Sequence, residues 1–191
     1  GDPAVLRDLY RLGLRSFQLP AHNWANNFAD SCCSPPKWKG LNDRGREVIR
    51  EANRLGMVIN VSHGSDETIA QAIDVSTDPV LATHHGLRSF NNIPRTMPDD
   101  LLKKLAAKGG VIGFQIGNEF HNVKVFDWRT KNAAGGKPFW DTTDIGHKER
   151  EMPIEQIDRI VAPMFPMVGI NAPEAIKWTP YEWLAVVERA I

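Results

Sequence analysis

Two histidines that follow neighbouring predicted strands are the strongest chemical signal in this sequence. His63 comes shortly after the apolar segment 57–61, and His84 comes directly after the segment 79–83. In folds that alternate strands with helices, the carboxyl ends of parallel strands meet at one edge and carry the active site. Two imidazoles at that edge would lie within reach of one metal ion, and imidazole suits Zn²⁺. Spacing alone does not decide between a metal site and two structural histidines.

The elements that must position these histidines repeat a strand followed by a helix. Strands are predicted at 13–19, 57–61, 79–83 and 111–114. Helices are predicted at 3–12, at 43–55 with Asp43 as N-cap and Gly56 at its end, after an N-cap at Asp66, and from Pro98. This α/β alternation predicts a parallel sheet covered by helices, either part of a (β/α)₈ barrel or a doubly wound sheet. No strand is followed by a phosphate-binding glycine motif, which argues against nucleotide binding.

The second half of the chain gives weaker signals. Residues 115–151 show no periodicity and predict a long loop, in which His121 and His147 are expected to be solvated. Two further helices are predicted near 153–165 and 180–190.

Composition restricts the function classes. Residues 1–191 suffice for a single domain, and 23 basic residues balance 23 acidic ones, which argues against a dedicated nucleic-acid surface. No apolar run reaches the roughly 18 residues that a membrane span needs. The two cysteines, Cys32 and Cys33, are adjacent, and a bond between neighbours is strained, so two reduced thiols are expected.

Four segments then occur in a specific order. They are NRLGMVINVSH at 53–63, DPVLATH at 78–84, PRTMPDD at 94–100 and GGVI at 109–112. This ordered set resembles the renal dipeptidase (membrane dipeptidase) family over roughly residues 5–115. The resemblance implies part of a (β/α)₈ TIM barrel of the amidohydrolase type. It also implies a binuclear zinc centre and hydrolysis of dipeptides that carry a free C-terminal carboxylate.

The resemblance also implies roles for individual residues. His63 and His84 would be ligands to one or other zinc ion, and His85 a neighbour rather than a ligand. Arg95 would bind the carboxylate of the substrate, which suits a planar guanidinium. His22 would contact the substrate near the scissile carbonyl.

The departures from the family pattern are equally specific. The sequence has no HxD pair on a first strand, no recognisable bridging glutamate and no terminal aspartate for proton transfer, so the catalytic acid/base group is unknown. Asn60 stands where the family has aspartate, and Thr96 where it has asparagine. Such changes alter the support of metal ligands.

Three hypotheses follow. The first is a zinc dipeptidase that acts on dipeptides, for which the resemblance also favours a homodimer. The second is a non-catalytic or truncated barrel segment that binds a ligand or partner, because two histidines fall short of the three protein ligands usual for catalytic zinc. The third is a mononuclear hydrolase that recruits Glu119 or Asp127 as further ligands.

Overall fold

The computed structural model describes residues 2–20, 22, 25–115 and 117–132; the side chains of 118 and 119 are not included. The helices predicted near 153–165 and 180–190, and His147, lie outside the described residues.

The described chain alternates strands and helices as the sequence predicts. In chain order the elements are α1 Pro3–Arg11, β1 Ser16–Gln18, α2 Asp43–Leu55, β2 Val58–Asn60, α3 Asp66–Val75, β3 Leu81–Leu87, β4 Thr96–Met97, α4 Asp99–Ala107, β5 Val111–Phe114, α5 Asn118–His121 and α6 Val123–Asn132.

The strands form one parallel sheet. β2 lies between β1 and β3, β5 pairs with the first part of β3, and β4 pairs with its last part. Because every pairing is parallel, the carboxyl ends of β1, β2 and β3 point to the same edge. The predicted α/β parallel sheet is therefore confirmed.

Local sequence explains where the helices begin and end. The side chain of Asn42, not Asp43, accepts the Gly45 N–H before α2, and Gly56 ends that helix in the left-handed region at φ 69°. The side chain of Ser65 caps α3, so the prediction of Asp66 as cap is also off by one position. In both cases the acidic residue occupies the first helical turn, where its charge favours the helix dipole.

Two other predictions are wrong. β3 continues through His84 to Leu87, because a register irregularity between Ala82 and His85 lets the strand keep β5 as a partner and then pair with β4. The predicted loop after Phe114 contains α5 and α6.

The hydrophobic core lies between the sheet and helices α1 to α4. It is formed by alternating side chains of the strands and one face of each helix, including Leu6, Ile49, Ile59, Ile69, Ala82, Met97 and Leu105. Among the described residues, no helix is long and apolar enough to cross a membrane.

Candidate functional site

Three histidines from three different segments meet at the carboxyl edge of the sheet. The ring centroids of His22 and His63 are 4.6 Å apart, and those of His63 and His84 are 4.9 Å apart. His22 follows β1, His63 follows β2, and His84 lies in β3. The structure thus brings together the three histidines singled out in the sequence.

The loop after β1 joins the backbones of two of these histidines. The single hydroxyl proton of Ser31 is shared between the carbonyls of His22 and His63, which lie 2.7 Å and 3.0 Å from Oγ. Cys32 N–H also donates to the His63 carbonyl, at 2.8 Å. His63 itself has φ 68°, a left-handed conformation that costs free energy for a residue with a Cβ. These bonds hold the strained residue in place.

The expectation of reduced thiols is wrong. Cys32 and Cys33 form a disulfide between adjacent residues. The loop that carries this bridge is joined to His63 by the bonds from Ser31 Oγ and Cys32 N–H to the His63 carbonyl.

Arg95 is buried although it lies in a loop. It is 3% exposed, and Nη1 has no hydrogen-bond partner within the described part of the chain. No ion pair joins it to a described carboxylate; the Phe120 ring centroid lies 5.6 Å from its Cζ. Burial lowers the pKa of Arg95 to about 10, so the guanidinium stays charged at neutral pH. A buried cation without a counter-ion is costly, and an anionic ligand would remove that cost.

The histidine rings are neutral at neutral pH. Burial and then the positive charge of Arg95 lower the pKa values of His63 and His84. Desolvation by neighbouring groups and the same charge lower the pKa of His22, although the residue as a whole is exposed. Neutral imidazole is the form that ligates metals and donates a single N–H.

The donor set is the right kind for zinc but too small. Within the described ranges, no group of three or more His, Cys, Asp or Glu side chains is placed to hold a metal ion. Asp127 is exposed on α6, and the Glu119 side chain lies outside the described part, so the recruitment of either one stays a prediction. His63 and His84 would supply at most two ligands.

One of the remaining histidines, His121, departs from the prediction. His121, expected to be solvated, is fully buried, and Phe90 and Phe114 lie edge-on to its ring. Desolvation lowers the pKa of His121 to about 4. His85 is also buried, and neither of its ring nitrogens has a hydrogen-bond partner among described residues.

A cavity of about 410 Å³ adjoins this site. Cys32 lines it, as do the first residues of α3 and the segment before Arg95; the lining residues are Cys32, Ser65, Asp66, Glu67, Arg88, Asn92, Ile93 and Pro94. Arg88 and Asp66 form a two-point ion pair across it. The histidines do not line this cavity.

Sequence reasoning singled out Asn60 but missed Thr83, the side chain through which Asn60 reaches His84. Thr83 Oγ1 lies 2.7 Å from His84 Nδ1, and Asn60 Nδ2 donates to the same hydroxyl at 2.9 Å. The available signal was a hydroxyl residue, Thr83, directly before His84.

The histidines lie at the carboxyl ends of parallel strands, which is where βα barrels carry their active sites. The chain belongs to the membrane dipeptidase family (peptidase family M19), which it matches over residues 1–161. The match runs beyond residue 115, where the resemblance was expected to end.

Similar proteins are named dipeptidases. An uncharacterized dipeptidase of Schizosaccharomyces pombe is 42% identical over 113 residues, which cover 59% of this chain and 27% of that protein. Dipeptidase 3 of Mus musculus is 36% identical over 114 residues, covering 57% of this chain and 23% of that protein. The chain thus spans about a quarter of the length of these relatives.

Solved structures confirm the fold as part of a TIM barrel. A metallo peptidase from Rhodobacter sphaeroides, liganded with a phosphinate mimic of the dipeptide L-Ala-D-Ala, is 26% identical with a TM-score of 0.56; the match covers 61% of this chain and 34% of that one. The probable dipeptidase PvdM from Pseudomonas aeruginosa has a TM-score of 0.72 at 19% identity, and the match covers 99% of this chain and 50% of that one. At that identity the second likeness concerns the fold alone.

Proposed function

We propose that this chain is part of a zinc-dependent dipeptidase that hydrolyses dipeptides with a free C-terminal carboxylate. The observation that carries the proposal is the environment of Arg95. This buried cation has no acidic partner among the described residues, and its charge acts on the neighbouring neutral histidines. The dipeptidase names of the relatives, and the dipeptide mimic bound to the Rhodobacter protein, agree with it.

The residues of this chain would bind and orient the substrate. Arg95 would pair with the carboxylate of the dipeptide through two parallel hydrogen bonds, which also compensates its own buried charge. The neutral ring of His22 would donate one N–H to the carbonyl oxygen as negative charge develops there. Both roles use groups that lie at the same edge of the sheet.

Zinc would be held in part by His63 and His84, and when bound it would supply Lewis-acid chemistry. The described residues do not complete such a site. We propose that the other ligands and the acid/base group belong to residues outside the described ranges.

A second candidate is a non-catalytic barrel segment that binds a ligand or partner, and the small donor set favours it. Zinc content, measured together with hydrolysis of a simple dipeptide, distinguishes the two. Bound zinc with turnover supports the peptidase. Absence of both supports the binding segment.

The proposal includes a homodimer. Apolar side chains are exposed on α1, at the residue that follows it and on two strands: Val5, Leu9, Leu12, Val58 and Val111. Such surface favours association, either with a second copy or with further barrel units. Sedimentation at several concentrations would test for self-association.

Arg95→Ala in the active enzyme should lower kcat/KM for free dipeptides by about a hundredfold, because hydrogen bonds to a charged group are lost. The same variant should lose much less of its kcat/KM for dipeptides with an amidated C-terminus. Arg54→Ala, which removes an exposed arginine paired with Glu51, is the control and should leave kcat/KM for both kinds of substrate unchanged. Equal loss on free and amidated substrates would contradict the carboxylate role.

A further inference from the structure

The amide of Asn60 has a fixed orientation. Its Oδ1 accepts the backbone N–H groups of Ser62 at 3.0 Å and Thr83 at 3.2 Å. Rotating the amide by half a turn would set its NH₂ against these two donors. Nδ2 therefore faces the other way, where it donates to Thr83 Oγ1 at 2.9 Å and to Gln18 Oε1 at 3.3 Å.

This orientation restricts the hydroxyl of Thr83. Thr83 Oγ1 accepts a proton from Asn60, so its own proton must go to one of its other two polar neighbours. These are Ser62 Oγ at 3.3 Å and His84 Nδ1 at 2.7 Å. The choice decides which nitrogen of the neutral His84 ring carries a proton, because a ring nitrogen that accepts has none.

The buried hydroxyl of Ser62 determines which neighbour accepts the Thr83 proton. Ser62 is fully buried, and its Oγ accepts the backbone N–H of His84 at 3.1 Å. If Thr83 donated to Ser62, the proton of Ser62 would have no acceptor among its described contacts. If Ser62 donates to Thr83 and Thr83 donates to His84 Nδ1, every proton of the network has an acceptor. An unmet buried donor is costly, so the second arrangement is favoured.

We propose that Asn60, acting through Thr83, holds the neutral His84 ring with its proton on Nε2. Because Thr83 occupies Nδ1, Nε2 is the nitrogen left to face a ligand. A metal needs a lone pair there, so this tautomer opposes metal binding until the network rearranges. Asn60 is thus a positioning residue for His84, and only this consequence for metal binding rests on the proposed function.

An aspartate at this position would reverse the pattern. One carboxylate oxygen would keep the two backbone N–H donors, and the other would accept the Thr83 hydroxyl proton. Thr83 would then accept from both Ser62 and His84 Nδ1–H, which leaves the Nε2 lone pair free. Asn60→Asp therefore exchanges the tautomer with almost no change of shape.

The test is the ring ¹⁵N spectrum of the metal-free full chain at a pH where His84 is neutral, with the His84 signals assigned by their absence from His84→Gln. We expect the wild-type proton on Nε2 and the Asn60→Asp proton on Nδ1. A wild-type proton on Nδ1 would overturn the proposal, and this result needs no folded variant. An unchanged tautomer in an Asn60→Asp chain with unaltered thermal unfolding would overturn it too.

Two controls separate this role from a general effect of charge or structure. Gln18→Glu adds a carboxylate beside Asn60 but leaves the Asn60 bond to Thr83 in place, so the tautomer should not change. In a Thr83→Val background, Asn60→Asp should have no effect on the tautomer. A shift in either control would assign the effect to charge or to structural change and overturn the relay through Thr83.

Zinc affinity provides a separate readout. If His84 is a ligand, the Asn60→Asp variant should bind zinc about tenfold more tightly than the wild type. Changes of residues that support metal ligands commonly alter metal affinity by about this factor. A reversed tautomer with unchanged zinc affinity supports the role of Asn60 and contradicts the ligand role of His84. The two proposals can therefore fail independently.

Discussion

His63 and His84 are positioned in two different ways, although both rings lie at the same edge of the sheet. His63 lies in a loop, where its strained backbone is held through its carbonyl by Ser31 and Cys32. His84 lies inside β3, where its backbone is set by the strand and its ring by the Thr83 hydroxyl. The main-chain support of His63 depends on the neighbouring loop, whereas the side-chain support of His84 depends on the contacts of β3 with both neighbouring strands, β2 and β5.

The largest expected effect comes from separating β3 from β5. A Cβ added at Gly113 would lie 2.2 Å from the Thr83 carbonyl oxygen, so the strands must move apart. Gly113→Ala should lower the free energy of unfolding by about 3 kcal/mol, measured by urea denaturation. It should shift the NMR signals of His84 more than those of His63. Val111→Ala, on an exposed side chain of the same strand, is the control; an equally small loss in both variants would contradict this packing.

A buried histidine on the β3–β5 side predicts a pH dependence. The pKa of His121 is about 4 in the folded chain, below its ordinary value of about 6.5 in the unfolded chain, so the unfolded state binds more protons between them. Its contribution to stability is complete above pH 6.5 and is lost as pH falls towards 4, at up to about 1.4 kcal/mol per pH unit.

Replacing this histidine should remove that part of the slope. His121→Gln, followed by urea denaturation between pH 7 and pH 4.5, should give a flatter profile than the wild type. Lys124→Gln, an exposed change nearby, should leave the profile as it is. An unchanged slope in His121→Gln would show that the buried ring titrates normally.

The smallest effect is expected from the loop that supports His63. Ser31→Ala removes the hydroxyl shared by the His22 and His63 carbonyls, and should cost about 1 kcal/mol, since Cys32 N–H still bonds the His63 carbonyl. The signals of His22 and His63 should shift while those of His84 stay. Ser34→Ala, which affects a bond to Ala25 in the same loop, is the control. Movement of His84 instead would show that the two supports are not separate.

Sequence patterns located the elements because periodicity and capping are local. The strand at Val111–Phe114 and the end of α2 at Gly56 were predicted to the residue. The length of β3 was not, because its second half exists only through pairing with β4 far along the chain. Likewise α5 and α6 lack the clear amphipathic pattern on which the prediction relied.

The functional site likewise has features that local sequence predicts and features that depend on distant segments. Strand ends and family resemblance singled out His22, His63, His84 and Arg95, and the structure places the three histidine rings together. The burial of Arg95 and the relay from Asn60 were not predictable, because each depends on side chains from separate strands and loops. The roles in catalysis remain predictions.

The disulfide between Cys32 and Cys33 has a consequence in polymer terms. A crosslink stabilises a chain by restricting the unfolded state, and the restriction grows with the length of the loop that it closes. Because these cysteines are adjacent, the bridge closes the shortest loop that two residues can form. It therefore does little to stabilise the fold as a whole, and its effect is to stiffen the peptide unit between the two cysteines. That unit directly follows the Cys32 N–H, which donates to the carbonyl of His63.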